Sequence, residues 1–197
     1  SFTLNDGERL ALIGEEGNGK STLLRVLAGD PSVESYIEVS GSFSCRDSAA
    51  YLPQELPESE RALSAYDFFC MSPVFFDQSP RELGELAARL SLPADVFYSD
   101  QLMQTFSGGE RVKLQLARLL MSNPTTLLLD EPTNDLDSDS VLWLENFLLS
   151  CKLTVLFVSH DEALLSRTAT SILLLERLRR RQVPRATLYR MGYDQFY

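Results

Sequence analysis

At 197 residues, with 44% hydrophobic and 23% charged side chains, the chain has an ordinary globular composition and is long enough to bury most of the surface its unfolded form would expose. A formal net charge of −10 argues against nonspecific DNA binding as a main task. No apolar run approaches the ~18 residues of a membrane span, no signal peptide is visible, and Cys45, Cys70 and Cys151 lie far apart in odd number without metal-ligand spacing, so buried thiols in a cytoplasmic protein are expected.

The chain starts at Ser1 without Met and enters Phe2-Thr-Leu as if an upstream strand were missing, so it reads as an excised fragment. Arg9 to Ile13 is an apolar run with strand character, and Ser21 to Ala28 is helical. Between them Gly14-Glu-Glu-Gly-Asn-Gly-Lys-Ser-Thr22 fits a phosphate-binding loop: two glycines five apart, then Lys and Ser, in a strand-to-helix context. Wrapping a polyphosphate takes close backbone N–H groups, which Gly14, Gly17 and Gly19 permit, with Asn18 and Thr22 in the same loop. Lys20 would reach the terminal phosphates, the Ser21 hydroxyl would take a Mg2+ position, and the following helix adds its positive dipole end.

Gly29-Asp-Pro31 stops the helix. Tyr36 to Val39 and Ser42-Phe43 alternate like an antiparallel hairpin, and Ala49 to Leu52 is a strand that delivers Gln54 to a loop. From Pro57 to Gln104 the pattern turns helical, with Leu83, Leu86, Ala87 and Leu90 on one face and Phe68, Phe69, Phe75 and Phe76 expected in the core of an inserted lobe. Phe106-Ser-Gly-Gly-Glu110 then leads into an amphipathic helix over Arg111 to Met121. Backbone N–H groups of Ser107, Gly108 and Gly109 would cap it and form a second anion site. Thr126 to Asp130 reads as a central parallel strand ending in a carboxylate, followed by Glu131 and a polar turn to Asp137. A helix over Leu142 to Leu149, a strand over Thr154 to Val158 with Ser159-His160-Asp161 at its end, and a strand over Ser171 to Leu175 complete the alternation. The last 22 residues carry six Arg against two acids, the reverse of the rest of the chain, and read as a solvated basic end after the last strand or a contact for an acidic partner or RNA.

The expected fold is α/β: a P-loop NTPase with a mostly parallel central sheet, antiparallel strands near the N-terminus and an inserted helical lobe. Residues 1–56 and 105–176 would form the α/β core, 57–104 the lobe and 177–197 a basic C-terminal segment of one domain.

Taken in order, the phosphate loop, Gln54, Ser107-Gly-Gly-Glu110, the strand ending Asp130, Glu131, Asn134-Asp-Leu-Asp137 and His160 resemble the ATP-binding cassette family over nearly the whole chain. The resemblance implies ATP and Mg2+. Asp130 would hold the metal with Ser21 and Gln54, Glu131 would be the general base or water-orienting group, and His160 would contact the γ-phosphate beside Lys20. It also implies a second cassette, in tandem or as a homodimer, whose Ser-Gly-Gly helix closes this phosphate loop head to tail; a monomer would be a weak ATPase. Glu16 stands where the family commonly has Asn, Phe106 and Glu110 where Leu and Gln are commoner, and the adenine-stacking aromatic would lie upstream of this chain.

Glu110 to Arg118, the Thr-Asn-Asp-Leu-Asp turn, Val158-Ser-His-Asp161 and the closing Gly192-Tyr-Asp-Gln-Phe-Tyr197 resemble most the soluble ABC-F subgroup, which implies a ribosome or rRNA partner. The alternatives are a nucleotide-binding subunit that meets a transmembrane partner through the lobe and the Gln54 loop, and a nonenzymatic nucleotide-gated scaffold.

Overall fold

The computed structural model describes residues 2–35, 37–39, 48–177 and 184–197. In it β1 (Arg9–Gly14), β2 (Ala49–Leu52), β3 (Thr126–Asp130), β4 (Thr154–Val158), β5 (Ser171–Arg177) and β6 (Pro184–Tyr189) form one sheet in the order β2-β3-β4-β1-β5-β6. All neighbouring pairs are parallel except β5 with β6. The apolar runs that mark β3 and β4 are those of strands covered on both faces, and all five residues of β4 are buried. The hairpin expected from Tyr36 to Phe43 falls largely outside the described residues.

Helices cover the two faces unequally. Leu10 and Leu12 of β1, Leu128 of β3 and Leu156 and Val158 of β4 pack with Leu24 of α1 (Lys20–Leu27). The opposite face, including Ala11, Leu127, Leu129, Val155 and Phe157, packs under α5 (Gly108–Leu120), α6 (Ser138–Ser150) and α7 (Glu162–Thr168). Short polar side chains start these helices: Ser107 caps α5, Asp137 accepts from Ser140 N at 2.8 Å to cap α6, and Asp161 accepts from Leu164 N at 3.0 Å to cap α7. Part of the polar turn after Glu131 is thus a helix start, and α6 begins four residues before the apolar stretch suggests.

Between β2 and α5 the lobe comprises α2 (Glu58–Arg61), α3 (Ala65–Cys70), α4 (Pro80–Leu90) and three short 3-10 turns. Phe68, Phe69 and Phe97 are fully buried and Phe75 nearly so, each burial favourable by about 1.5–3 kcal/mol. Phe76, expected with them, is 66% exposed. It follows Phe75 in the 3-10 turn Pro73–Asp77, where adjacent side chains diverge, so burying one ring turns the next outward. Arg118 of α5 ties the lobe to the sheet layer: its guanidinium lies 3.8 Å from the Phe68 ring centroid and donates to Glu60 at 2.9 Å.

The basic end contains more structure than its composition suggests. Pro184 to Tyr189 is strand β6, and α8 (Tyr193–Phe196) follows it, setting Phe196 edge-to-face against Tyr189 at 5.0 Å between ring centroids. Arg190 reaches back to Glu8 at 3.4 Å and to the Thr3 carbonyl at 3.3 Å, binding the end of the described chain to its beginning. Of the Arg cluster, Arg179, Arg180 and Arg181 lie outside the described residues.

Candidate functional site

Parallel pairing of β2, β3, β4 and β1 brings their carboxyl ends to one edge of the sheet, where each hands over to a candidate segment. The loop after β1 holds Glu15 to Gly19, Gln54 follows β2, Glu131 follows β3, and Ser159-His160 follows β4.

The phosphate loop closes through its own backbone. Gly17 and Gly19 have φ of +78° and +81°, left-handed values that a Cβ would strain, and Gly19 is the N-cap of α1. Asn18 donates its side-chain amide to the Leu175 carbonyl at 3.1 Å, pinning the loop to β5. Lys20, 8% exposed, curls back to donate to the Gly14 and Glu15 carbonyls at 2.8 and 3.1 Å. Glu15 and Glu16 are exposed, and Thr22 is half-buried in the first turn of α1.

Ser21 and Asp130 meet directly: the Ser21 hydroxyl donates to Asp130 Oδ1 at 2.9 Å. Asp130 is 1% exposed, and its second oxygen, Oδ2, accepts from the Tyr51 hydroxyl at 2.9 Å. Arg25 Nε donates in turn to that hydroxyl at 3.4 Å. Burial pushes the Tyr51 pKa up to about 12, Arg25 pulls against it and the Asp130 charge adds to it. Reading by motif picks out neither Tyr51 nor Arg25. The one available signal is the alternation Ala49-Ala-Tyr-Leu52, which puts Tyr51 on the α1 side of β2.

Glu131 takes a left-handed backbone, φ +45°, with its N–H donating to the Val158 carbonyl at 3.0 Å. That conformation is uncommon for a residue with a Cβ and turns the carboxylate across the end of β4. There Oε2 accepts from the His160 backbone N–H at 3.1 Å, and Oε1 lies 3.3 Å from His160 Nε2. Burial raises the Glu131 pKa above its ordinary 4.5, while the His160 ring and N–H, and more weakly Lys20, act to lower it. The imidazole itself is largely in solvent, with 67% of its side chain exposed. Glu131, His160, Lys20, Ser21 and Asp130 therefore form one neighbourhood at the sheet edge.

Gln54 is not part of that neighbourhood. It is exposed on a bend and lines a polar cleft of about 350 Å³ with Gly108, Arg111, Asn134 and Asp135, among others. The cleft runs from the lobe to the start of α5, so in this geometry Gln54 is associated with the Ser-Gly-Gly segment instead of with Ser21 and Asp130.

The second anion site differs from expectation in its filling. Ser107 and Glu110 form a reciprocal capping box: Glu110 N donates to the Ser107 hydroxyl at 3.3 Å, and Ser107 N and Oγ both donate to Glu110 Oε2 at 2.8 Å. The protein's own carboxylate thus occupies donors that an incoming anion would use. The two glycines are needed for close approach: a Cβ on Gly108 would come within 2.2 Å of the Asp135 carbonyl oxygen, and one on Gly109 within 2.0 Å of Ser140 Oγ. Ser107 is exposed, so this end of α5 faces outward.

A divalent ion of the Mg2+ type fits the donors at Ser21 and Asp130. Mg2+ favours hard oxygens and keeps most of its shell as water and phosphate, so one hydroxyl and one carboxylate oxygen satisfy its protein share. Among the described residues there is no group of three or more His, Cys, Asp or Glu that could form an all-protein metal cage. No helix among them is long and apolar enough to cross a membrane.

Known proteins resemble this chain over most of its length. The family model described as ABC transporter matches residues 1–134. Human ATP-binding cassette sub-family F member 3 is 34% identical over 200 residues, covering 86% of this chain and 28% of that protein. The energy-dependent translational throttle protein EttA of Escherichia coli (strain K12) is 34% identical over 212 residues, 90% of this chain and 38% of its own length. Among solved structures, a metal-chelate type ABC transporter in an inward-facing conformation superimposes with a TM-score of 0.72 at 26% identity, covering 94% of this chain and 74% of the other. The chain spans between 28% and 38% of the length of these two curated relatives.

Proposed function

The chain belongs to the ABC transporter family of ATP-binding cassettes, with its relatives in sub-family F, and from that premise we propose that it binds ATP with Mg2+ and hydrolyses it. The observation that carries this reading is the Ser21–Asp130 contact with Glu131 immediately beyond it, at the edge where the phosphate loop opens. In the proposed reaction Lys20 gives up the Gly14 and Glu15 carbonyls for the β- and γ-phosphates. The free N–H groups of the loop and the start of α1 hold the remaining phosphate oxygens. Ser21 and Asp130 would hold the Mg2+ ion, and Gln54 would join them only by a shift of its loop out of the cleft it lines. When bound, the ion neutralises charge on the phosphate oxygens. Glu131 accepts a hydrogen bond from the attacking water and takes or orients its proton, a role suited to a carboxylate whose pKa is raised by burial. His160, already beside Glu131, contacts the γ-phosphate.

The loop supports phosphates from one side, and the head of α5, exposed at Ser107, suits the opposite side of another cassette's nucleotide. We therefore read the active unit as a head-to-tail ATP sandwich with a second cassette, either in tandem or as a homodimer. For the cellular role, likeness to sub-family F and to a protein named as a translational throttle supports a cytoplasmic cassette working at the ribosome. Cosedimentation of the full-length protein with ribosomes, with and without ATP, tests this; enrichment in ATP is expected, and none over a membrane-subunit control would reject it. The second reading, a transporter subunit, draws on the likeness to the metal-chelate type transporter and predicts copurification with a membrane-spanning partner.

A further inference from the structure

The hydrogen bond from Tyr51 to Asp130 bridges two strands at a fixed offset. Tyr51 on β2 is paired with Leu128 on β3, and Asp130 stands two residues further along the same face. Two residues of strand advance by about 6.6 Å, close to the reach of a phenol from its backbone, so the hydroxyl arrives at Asp130 with the ring beside Leu128. An ionised carboxylate only accepts, which fixes Tyr51 as donor to Oδ2 and leaves its own oxygen free to accept from Arg25 Nε. The terminal torsion of an aspartate is broad, so a buried carboxylate is oriented mainly by its partners. Here they divide the work: Tyr51 holds Oδ2, and Oδ1 remains on the side of Ser21.

We infer that Tyr51 is a positioning residue for the metal site: it fixes the Asp130 carboxylate so that Oδ1, beside Ser21, is presented to a divalent cation, with Arg25 linking this arrangement to α1. The inference rests on the proposed Mg2+–ATP reading, and its test separates the two.

The experiment is a Mg2+ titration of binding of a fluorescent ATP analogue to the purified chain, repeated with Tyr51→Phe, and with affinity in EDTA measured alongside. Replacing the partner of a metal-ligating carboxylate is expected to raise the Mg2+ midpoint about 10-fold. Affinity in EDTA stays the same within about twofold, because the phosphate loop does not involve Tyr51. An unshifted midpoint overturns the inference, as does an equal loss in EDTA and in Mg2+, which would make Tyr51 a purely structural residue. If the unsubstituted chain shows no effect of Mg2+ on binding, the proposed function itself falls. Phe keeps the ring, and a melting curve checks folding. Should that variant not fold, Arg25→Gln is titrated instead: a shift in the same direction of about twofold or more is expected, and no shift overturns the inference.

Discussion

At the phosphate loop the Ser21 hydroxyl finds its partner 109 residues away, on Asp130, whereas at the head of α5 the Ser107 hydroxyl is satisfied by Glu110, three residues on. The first site is assembled by the sheet. Its carboxylates are buried, its hydrogen bonds join β1, β2, β3 and β4 regions, and it exists only when those strands are in register. The second is assembled by one turn of helix, faces outward, and carries its own acid on the donors an incoming anion would need. The contrast teaches that the two halves of the proposed nucleotide sandwich would have different requirements. The half proposed to perform chemistry is already held by long-range hydrogen bonds, while the half proposed to close over a partner's nucleotide would have to exchange an internal hydrogen-bonded carboxylate for an external phosphate.

Substitutions that touch only one half test this division. The largest effect is expected for Glu131→Gln, which should keep nucleotide binding but remove the proposed base: phosphate release should fall by about 10²–10⁴. Unchanged turnover would remove Glu131 from its role. Gly108→Ala acts on the other half. Its Cβ would press on the Asp135 carbonyl, an overpacking cost of about 1–3 kcal/mol, so ATP-dependent association followed by light scattering should weaken strongly. Binding of a fluorescent nucleotide to the phosphate loop should stay within about twofold. Loss of both together would show that the halves are not separable.

Glu8 sharpens the comparison from beneath the sheet edge. Burial works to raise its pKa, but the Ser171 hydroxyl, the Asn5 N–H groups and Arg190 outweigh burial and hold it below the ordinary 4.5. A depressed carboxylate contributes stability that is fully present above its unfolded value and is lost as pH falls through its folded value. Glu8→Gln should therefore cost about 1.5–3 kcal/mol at neutral pH, read by denaturant melts, with the difference shrinking as pH falls below the ordinary carboxylate value of 4.5. The smallest effect is expected for Glu110→Gln. Removing the negative charge that competes at the α5 head should tighten ATP-driven association by about 0.3–1 kcal/mol, measured as the apparent dissociation constant in a Glu131→Gln background.

Much of this was legible in the residues. The apolar runs of β3 and β4 identify buried parallel strands because strands covered on both faces have no polar side to show. The motif order places Gly14 to Thr22, Asp130, Glu131 and His160 at one sheet edge because the carboxyl ends of parallel strands converge. β6 was hidden because its alternation is weak and its end of the chain is dominated by Arg. The exposure of Phe76 is not legible because composition cannot tell which ring of an adjacent pair a 3-10 turn directs outward. Tyr51 is silent in the sequence for a different reason: its contact with Asp130 depends on the register of β2 on β3, which no local pattern encodes. Gln54 shows the same limit in reverse, since its place after a strand does not say which of two neighbouring clefts its loop follows.

The central claim, that each nucleotide is held by the phosphate loop of one cassette and the Ser-Gly-Gly helix of another, is tested most directly by mixing two inactive variants of this chain, Lys20→Ala and Ser107→Arg. In a head-to-tail pair both lesions fall in one site and leave the other intact. Phosphate release should then recover to roughly a quarter of the unsubstituted rate after random pairing. Activity no greater than the sum of the two variants measured separately would contradict the shared site.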